Sequence, residues 1–262
     1  MMDQTYDWEE LKWKTKAIAV ICPSSFLFFF LVKRLVKAYG IPRACAAIPD
    51  RWSNYATSCF HALVCGVAAL AIVLTGDGWM ESSPQSFYLH CVAAGYFAYD
   101  TLDMWISDEP IGSTDMYAHH VLIFFFITIT QLPPCGRINV YCAIDYLSEL
   151  SNVFLHARKL LSLLGKRGTA VYLNINILYF VSFFVFRFIP QMLMFAMMHV
   201  DLWNSKLSLF CYLIVIPQQS LLVIIGSHVA YKITMRTIGG KHAARKPTGV
   251  SRDGDPSVEK QE

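Results

Sequence analysis

Residues 116–132 read MYAHHVLIFFFITITQL, a mainly apolar run that carries two adjacent histidines. A bilayer span needs about 20 predominantly apolar residues, so this stretch approaches the required length. Ionisable side chains are costly at such a depth, and they normally face the interior of a helical bundle or a wet cavity. The stretch therefore predicts a membrane helix in which His119 and His120 mark a functional site.

The composition of the whole chain indicates the same class of protein. Of the 262 residues, 55% are hydrophobic and 16% are charged, and the mean hydropathy is +0.41. The apolar residues form long blocks, unlike the alternating pattern of a membrane β-barrel. Because lipid offers no partner to unpaired backbone groups, we predict an all-α, polytopic transmembrane helical bundle. Seven stretches approach or reach the length of a span: about 17–32, 56–75, 86–106, 116–132, 138–163, 170–198 and 206–232.

Changes in composition divide the chain into four segments. We expect a polar N-terminal tail at 1–16, a first span with a basic connector at 17–51, a compact six-helix unit at 52–232, and a disordered polar tail at 233–262. The net charge of +3 gives no sign of a nucleic-acid partner.

Basic residues predict the orientation of the bundle. They follow the first, fifth and last spans, whereas the loops near 76–85 and 107–115 contain no Lys or Arg. By the positive-inside rule the basic segments face the cytosol, and seven spans then place the N-terminus outside. Lys12, Lys14 and Lys16 weigh against that placement of the first span.

The eight cysteines show no metal-binding spacing, and neither a metal nor a cofactor is expected. Most of them, including Cys211, fall inside predicted spans, where a free thiol is usually a small hydrophobic group. The sequence therefore does not imply disulfides. Glycine-rich nucleotide loops, nucleophile elbows and the zinc-protease motif are also missing from the sequence.

Carboxylates accompany the histidines on neighbouring spans. Asp115 precedes His119 by four residues, so it can reach that imidazole on a helix. Asp100 and Asp103 lie on the third span, close to the loop that follows it. The sequence leaves open whether these two acids join a polar site or simply lie at the membrane interface.

The fifth span carries a polar stripe made of Asp145, Glu149, Asn152 and His156, at steps of four, three and four. Such a stripe either lines a crevice filled with water or a lipid headgroup, or it joins the bundle through hydrogen bonds. Arg187 lies deep in the sixth span and requires an acidic partner, for which Asp145 and Glu149 are the nominees.

Prolines and two further histidines receive simpler interpretations. Pro190 and Pro217 interrupt the sixth and seventh spans, and we expect them to bend the helices and widen a cavity. His61 and His90 are expected to be core residues rather than site residues.

Two motifs on consecutive spans carry a family resemblance: D-x-x-x-H-H at 115–120 and D-x-x-x-E at 145–149. They resemble the TLC-domain family, named for TRAM, Lag and CLN proteins, and the likeness covers about 52–232. Three further stretches look like the small TLC-domain proteins of membrane-fluidity homeostasis, namely 95–103, 149–158 and 186–191.

The resemblance also bears on catalysis. Ceramide synthases of this family transfer an acyl chain from acyl-CoA, and their motif has a His-Asp pair where this chain has Tyr141 and Cys142. General acid–base catalysis typically contributes about 10²–10⁴ in rate, so this loss argues against an enzyme without deciding the question. If a reaction is catalysed, the candidate catalytic residues are His119, His120 and Asp145.

The resemblance implies a regulator of membrane phospholipid composition at the plasma membrane. It would limit the incorporation of polyunsaturated, fluidising acyl chains into phospholipids such as phosphatidylethanolamine. The alternatives are an acyl-CoA-dependent lipid acyltransferase and a trafficking receptor or chaperone for membrane proteins, with the endoplasmic reticulum as the other location. The expected partners are phospholipids or acyl chains, bound by His119, His120, Asp100, Asp103, Asp145, Glu149, Asn152 and Arg187.

Overall fold

A computed structural model describes residues 8–75, 83–107, 109, 111, 117, 120, 128, 131–132, 135 and 138–243. Every regular element in these ranges is helical, which confirms the all-α prediction. The α-helices are α1 Trp8–Tyr39, α2 Pro49–Thr75, α3 Pro84–Ile106, α4 Asn139–Tyr146, α5 Ser148–Leu163, α6 Ala170–Phe183, α7 Ile189–Trp203 and α8 Leu209–Ala243. A 3₁₀ turn covers Arg43–Cys45, and a π-helical turn covers Phe184–Phe188.

Within the described part of the chain, four helical stretches are long and apolar enough to cross a membrane, as expected for a polytopic protein. They are Trp8–Tyr39, Pro49–Thr75, Ala170–Trp203 and Leu209–Val229. The predicted span at 116–132 lies outside the described residues, apart from Tyr117, His120, Thr128, Gln131 and Leu132.

The helix boundaries differ from the predicted spans at three places. α1 begins at Trp8 instead of residue 17, and α8 continues to Ala243, past the point at 233 where we expected a disordered tail. Residues 244–262 lie outside the described part. The predicted fifth span consists of α4 and α5, which meet at Leu147, where the backbone N–H donates to the carbonyl of Ile144 at 3.2 Å.

Local sequence explains where two of the helices begin. Ser83 accepts a hydrogen bond from the Ser86 N–H at 3.1 Å and Pro84 follows it, an N-cap followed by a proline that fits the first turn of α3. Thr169 accepts from the Tyr172 N–H at 3.3 Å and starts α6 in the same way.

Small residues bring the helices of the bundle close together. A Cβ atom added at Gly66 of α2 would lie 2.8 Å from the backbone nitrogen of Leu150 in α5. One added at Gly95 of α3 would lie 2.8 Å from the Cβ atom of Ser25 in α1. Small residues at helix–helix contacts are typical of membrane proteins, because close packing replaces the hydrophobic effect as the source of association.

α1 and α3 run side by side in the same direction. Trp13 packs on Phe87 near the start of both helices, Ser25 donates to the carbonyl of Val92 at 2.6 Å midway, and Lys33 pairs with Asp103 near their ends. The helix that precedes the predicted six-helix unit is thus packed along its length against that unit.

The prolines act differently from each other. Pro190 has no N–H to continue an α-helical pattern, and the preceding residues Phe184–Phe188 form the π-helical turn that contains Arg187. Pro217 lies inside α8, which continues through it as a helix, and the bend expected there stays a prediction.

A disulfide joins Cys135 to Cys211, with the two Cα atoms 5.5 Å apart. This corrects the expectation of free thiols, since Cys211 lies in the first turn of α8 rather than deep in a span. Disulfides persist in oxidising compartments. The bond lies at the end of the bundle where α3 and α8 begin, which the charge pattern places outside the cytosol.

Candidate functional site

Polar groups at one end of the bundle form what we call the end network: Lys33, Asn54, Asp100, Asp103 and His120. The Asn54 amide donates to Asp100 Oδ1 at 2.8 Å and to Asp103 Oδ2 at 2.9 Å. Lys33 donates to the other oxygen of Asp103. Both carboxylates are buried and hydrogen-bonded to neighbouring helices, so they are not simply exposed at an interface.

His120 joins the end network from the fourth predicted span. Its Nδ1 atom lies 3.5 Å from Asp100 Oδ2, and its ring centre lies 5.2 Å from that of Phe97. His119 and Asp115 lie outside the described residues, so their predicted pairing stays a prediction.

A second group of polar residues surrounds a cavity of about 60 Å³, which we call the inner crevice. Its polar wall consists of Asp145, Glu149, Arg187 and Gln191, and apolar residues of α8 close the other side. A cavity needs about 10–15 Å³ of such volume to hold one water molecule, so the crevice has room for a few waters or a small polar group.

Arg187 reaches the crevice from the π-helical turn. Its Nη2 atom donates to Asn152 Oδ1 at 2.7 Å, whereas in the described part of the chain no carboxylate lies within salt-bridge distance. Asp145 and Glu149, the nominated partners, interact with the guanidinium only at longer range. Arg187 Nε is buried without a hydrogen-bond partner among the described residues.

His61 is buried, as expected of a core residue, and it also lies beside Glu149 of the inner crevice. Its Nδ1 atom lies 3.8 Å from Glu149 Oε2, and its ring stacks on Tyr96 with centres 3.6 Å apart. A signal was present in the sequence, because Asn54, Ser58 and His61 follow one another at steps of four and three along a single face of α2.

Of the candidate catalytic residues, His119 lies outside the described part of the chain, and the two described ones have different surroundings. Asp145 lines the inner crevice, whereas His120 is not part of its described lining and packs against Phe97, which is. Among the described residues, the geometry thus gives two polar groups, the end network and the inner crevice.

Tyr141 and Cys142 take part in hydrogen bonding and packing inside the bundle. The Tyr141 hydroxyl donates to Asp201 at the end of α7, and Cys142 is buried in a hydrophobic cluster with Phe29, Cys65 and Tyr146. Within the described ranges, no group of three or more His, Cys, Asp or Glu residues is arranged to hold a metal ion.

A family model described as the TLC domain matches residues 51–234. The chain is also similar to TLC domain-containing protein 2 of Danio rerio, with 29% identity over 169 residues that cover 63% of this chain and 68% of the relative. TLC domain-containing protein 1 of Gallus gallus is 29% identical over 188 residues, or 68% of this chain and 73% of the relative. The human protein of that name is 31% identical over 148 residues, or 54% and 58%. This chain belongs to the TLC-domain family.

Proposed function

We propose that this protein regulates the acyl composition of membrane phospholipids by binding them, and that it limits polyunsaturated, fluidising chains in phosphatidylethanolamine. Family membership and the apolar helices support a role in lipid homeostasis within a membrane. We place this activity at the plasma membrane, as the resemblance implies.

The charge arrangement of the inner crevice is the observation that carries the proposal. Arg187 provides a cation with a free buried N–H, and Asp145 and Glu149 provide anions across the same small space. A phosphatidylethanolamine headgroup offers the complementary pair, a phosphate that accepts from a guanidinium and a primary ammonium that donates to carboxylates. The crevice volume of about 60 Å³ fits part of a headgroup and excludes a whole lipid.

The same site offers little support for acyl transfer. Tyr141 and Cys142 stand where the resemblance to ceramide synthases would require His and Asp, and His120 does not belong to the described lining of the crevice. Binding that biases which phospholipids accumulate is therefore the simpler role.

The test compares the wild type with Arg187→Gln in cells that lack the gene, fed with saturated or polyunsaturated fatty acid. Lipid mass spectrometry measures the polyunsaturated fraction of phosphatidylethanolamine. We expect the wild type to lower that fraction, and Arg187→Gln to lose most of the effect because the headgroup phosphate loses its donor.

Arg158→Gln is the matched control. Arg158 donates to Asn176 at 3.2 Å and packs over Tyr179, outside the crevice, so we expect this variant to act like the wild type. If restoring the wild type leaves the phospholipid profile unchanged, the proposal is refuted. If Arg187→Gln lowers the polyunsaturated fraction as much as the wild type does, the proposed site is refuted.

An acyltransferase is the second candidate, favoured by the buried His120–Asp100 pair, an imidazole beside a carboxylate as in general-base catalysis. Purified protein in liposomes with labelled acyl-CoA tests it. Turnover that His120→Ala abolishes would establish the enzyme and replace the binding role, whereas we expect no turnover.

A further inference from the structure

A groove between α1 and α3 lies on the outer side of the end network. Its volume is about 290 Å³, well above that of the inner crevice. Along α1 it is lined by Phe26, Phe30, Lys33, Arg34 and Lys37, and along α3 by Tyr99, Leu102, Asp103, Ile106 and Ser107, with Asp50 of α2 beside them. The α1 wall lies outside the matched TLC domain, so the domain alone cannot form this groove.

The groove changes character along its length. Phe26, Phe30, Leu102 and Ile106 make its walls apolar, while Lys33, Arg34 and Lys37 bring three positive charges towards the end of α1. An apolar channel that ends in cations matches an amphiphile with a hydrocarbon chain and an anionic head.

Most of the charge in the groove is already compensated. Lys33 pairs with Asp103 and lies 3.4 Å from Asp50, and Lys37 lies 2.7 Å from Asp50. The exposed Arg34 is different, because its guanidinium packs 5.0 Å from the centre of the Phe30 ring and meets no carboxylate in the described ranges. Among the described lining residues there are three cations and two carboxylates, which leaves one positive charge.

Tyr99 supplies a second, independent observation. Its side chain is 2% exposed, and its hydroxyl group has no hydrogen-bond partner within the described residues, although it lines the groove near Arg34. A buried hydroxyl without a partner costs free energy, and an oxygen-rich ligand that accepts a hydrogen bond from it would recover that cost.

We propose that this groove binds one anionic glycerophospholipid, whose phosphate contacts Arg34 and the Tyr99 hydroxyl while an acyl chain lies between α1 and α3. The charge pattern places this end in the cytosolic leaflet, where anionic lipids are found and where basic pockets between membrane helices bind their headgroups. The site is separate from the inner crevice and does not depend on the function proposed for it.

Native mass spectrometry of the purified full chain tests the proposal. The protein is titrated with phosphatidylserine or phosphatidylcholine carrying identical acyl chains. We expect the wild type to prefer phosphatidylserine, and Arg34→Gln to bind it about fivefold more weakly, since one basic residue near a membrane surface contributes about 1 kcal/mol. For Tyr99→Phe we expect a loss of about two- to fivefold, equivalent to one hydrogen bond.

Two control variants make the same types of substitution at positions outside the groove. Tyr88→Phe removes an exposed tyrosine hydroxyl near the opposite end of α3, and Arg158→Gln removes an arginine that is already hydrogen-bonded. Both should bind phosphatidylserine like the wild type. Arg34 is exposed and Tyr99→Phe is conservative, so both test proteins should elute as folded, monodisperse species.

The remaining outcomes distinguish the source of the phosphate. Oleoyl-CoA and inorganic phosphate should each compete poorly with phosphatidylserine. Oleoyl-CoA has a bulky headgroup, and inorganic phosphate has no acyl chain. Equal binding of the two lipids by the wild type, or unchanged preference in Arg34→Gln, would overturn the proposal. Stronger, Arg34-dependent binding of oleoyl-CoA would overturn the choice of ligand.

Discussion

The end network and the inner crevice both contain carboxylates buried within the bundle, but among the described residues only the end network pairs one of them directly with a lysine or arginine. In the end network Asp100 and Asp103 share the Asn54 amide at 2.8 and 2.9 Å, and Lys33 pairs with Asp103. In the inner crevice Arg187 bonds to Asn152 and remains apart from the carboxylates across an open space.

This difference separates a structural use of charge from a binding use. A buried charge whose partners are already in place stabilises one arrangement of helices, and removing one partner leaves the other uncompensated. Charges held apart around a space keep part of their interaction available for a ligand. We therefore expect mutations in the end network to act on stability and mutations in the crevice to act on function.

The largest effect on stability is expected for Asp103→Ala. It leaves Lys33 buried without its nearest anion, and loss of one partner of a buried ion pair typically costs about 3–5 kcal/mol. Thermal unfolding in detergent, followed with a thiol-reactive dye, measures this loss of stability through the buried free cysteines Cys45, Cys65, Cys91 and Cys142.

Glu9→Ala is the control for that experiment, because it removes an exposed carboxylate that pairs with Lys12 at 2.6 Å. Exposed pairs contribute little, so its unfolding curve should overlay that of the wild type. If Asp103→Ala unfolds at the wild-type temperature, the end network has no structural role.

A smaller effect is expected for His61, which lies beside Glu149 of the inner crevice. His61→Phe keeps the ring stacked on Tyr96 but removes the imidazole beside Glu149. Combined with Glu149→Gln in a double-mutant cycle, it should show a coupling energy of about 0.5–3 kcal/mol in the same unfolding assay. In a control cycle that combines His61→Phe with Glu9→Gln, at an exposed and distant site, the two changes in unfolding free energy should be additive. Additivity in both cycles would show that His61 and Glu149 do not interact.

The smallest effect on stability is expected for Gly226→Ala, which adds a methyl group to the crevice wall. The new Cβ atom would lie 3.1 Å from Gln191 Oε1, the end of a flexible side chain that can move aside. We expect less than about 1 kcal/mol of destabilisation, below the range for overpacking a rigid core. The lipid assay should nevertheless show reduced activity, because the space for a headgroup shrinks.

Gly168→Ala provides the matched change, since nothing lies within 4 Å of its added Cβ atom. It should alter neither unfolding nor phospholipid composition. A loss of stability in Gly226→Ala as large as that in Asp103→Ala would mean that the crevice is closely packed and not available to a ligand.

The sequence predicted the class of fold because composition and block length determine it directly. The polar stripe on the fifth span could also be predicted from the sequence, since Glu149 and Asn152 lie on one helix, α5, at the expected spacing. Membership of the family followed from short motifs, and the match over residues 51–234 confirms it.

What the sequence could not predict depends on which helices become neighbours. Cys135 and Cys211 are separated by 76 positions, and no local pattern pairs them. Arg187 required a polar partner, but the choice of Asn152 over a carboxylate depends on how the π-helical turn orients its side chain. His61 is buried as expected, but its proximity to Glu149 could not be predicted because the two residues are distant in the chain.

The Cys135–Cys211 bond has a consequence for how lipid could enter the bundle. It anchors the first turn of α8, the helix that supplies Leu222, Ile225 and Val229 to the crevice wall. Because the disulfide fastens one end of that helix, we expect a ligand to enter the crevice only if the part of α8 beyond its first turn moves away from the bundle.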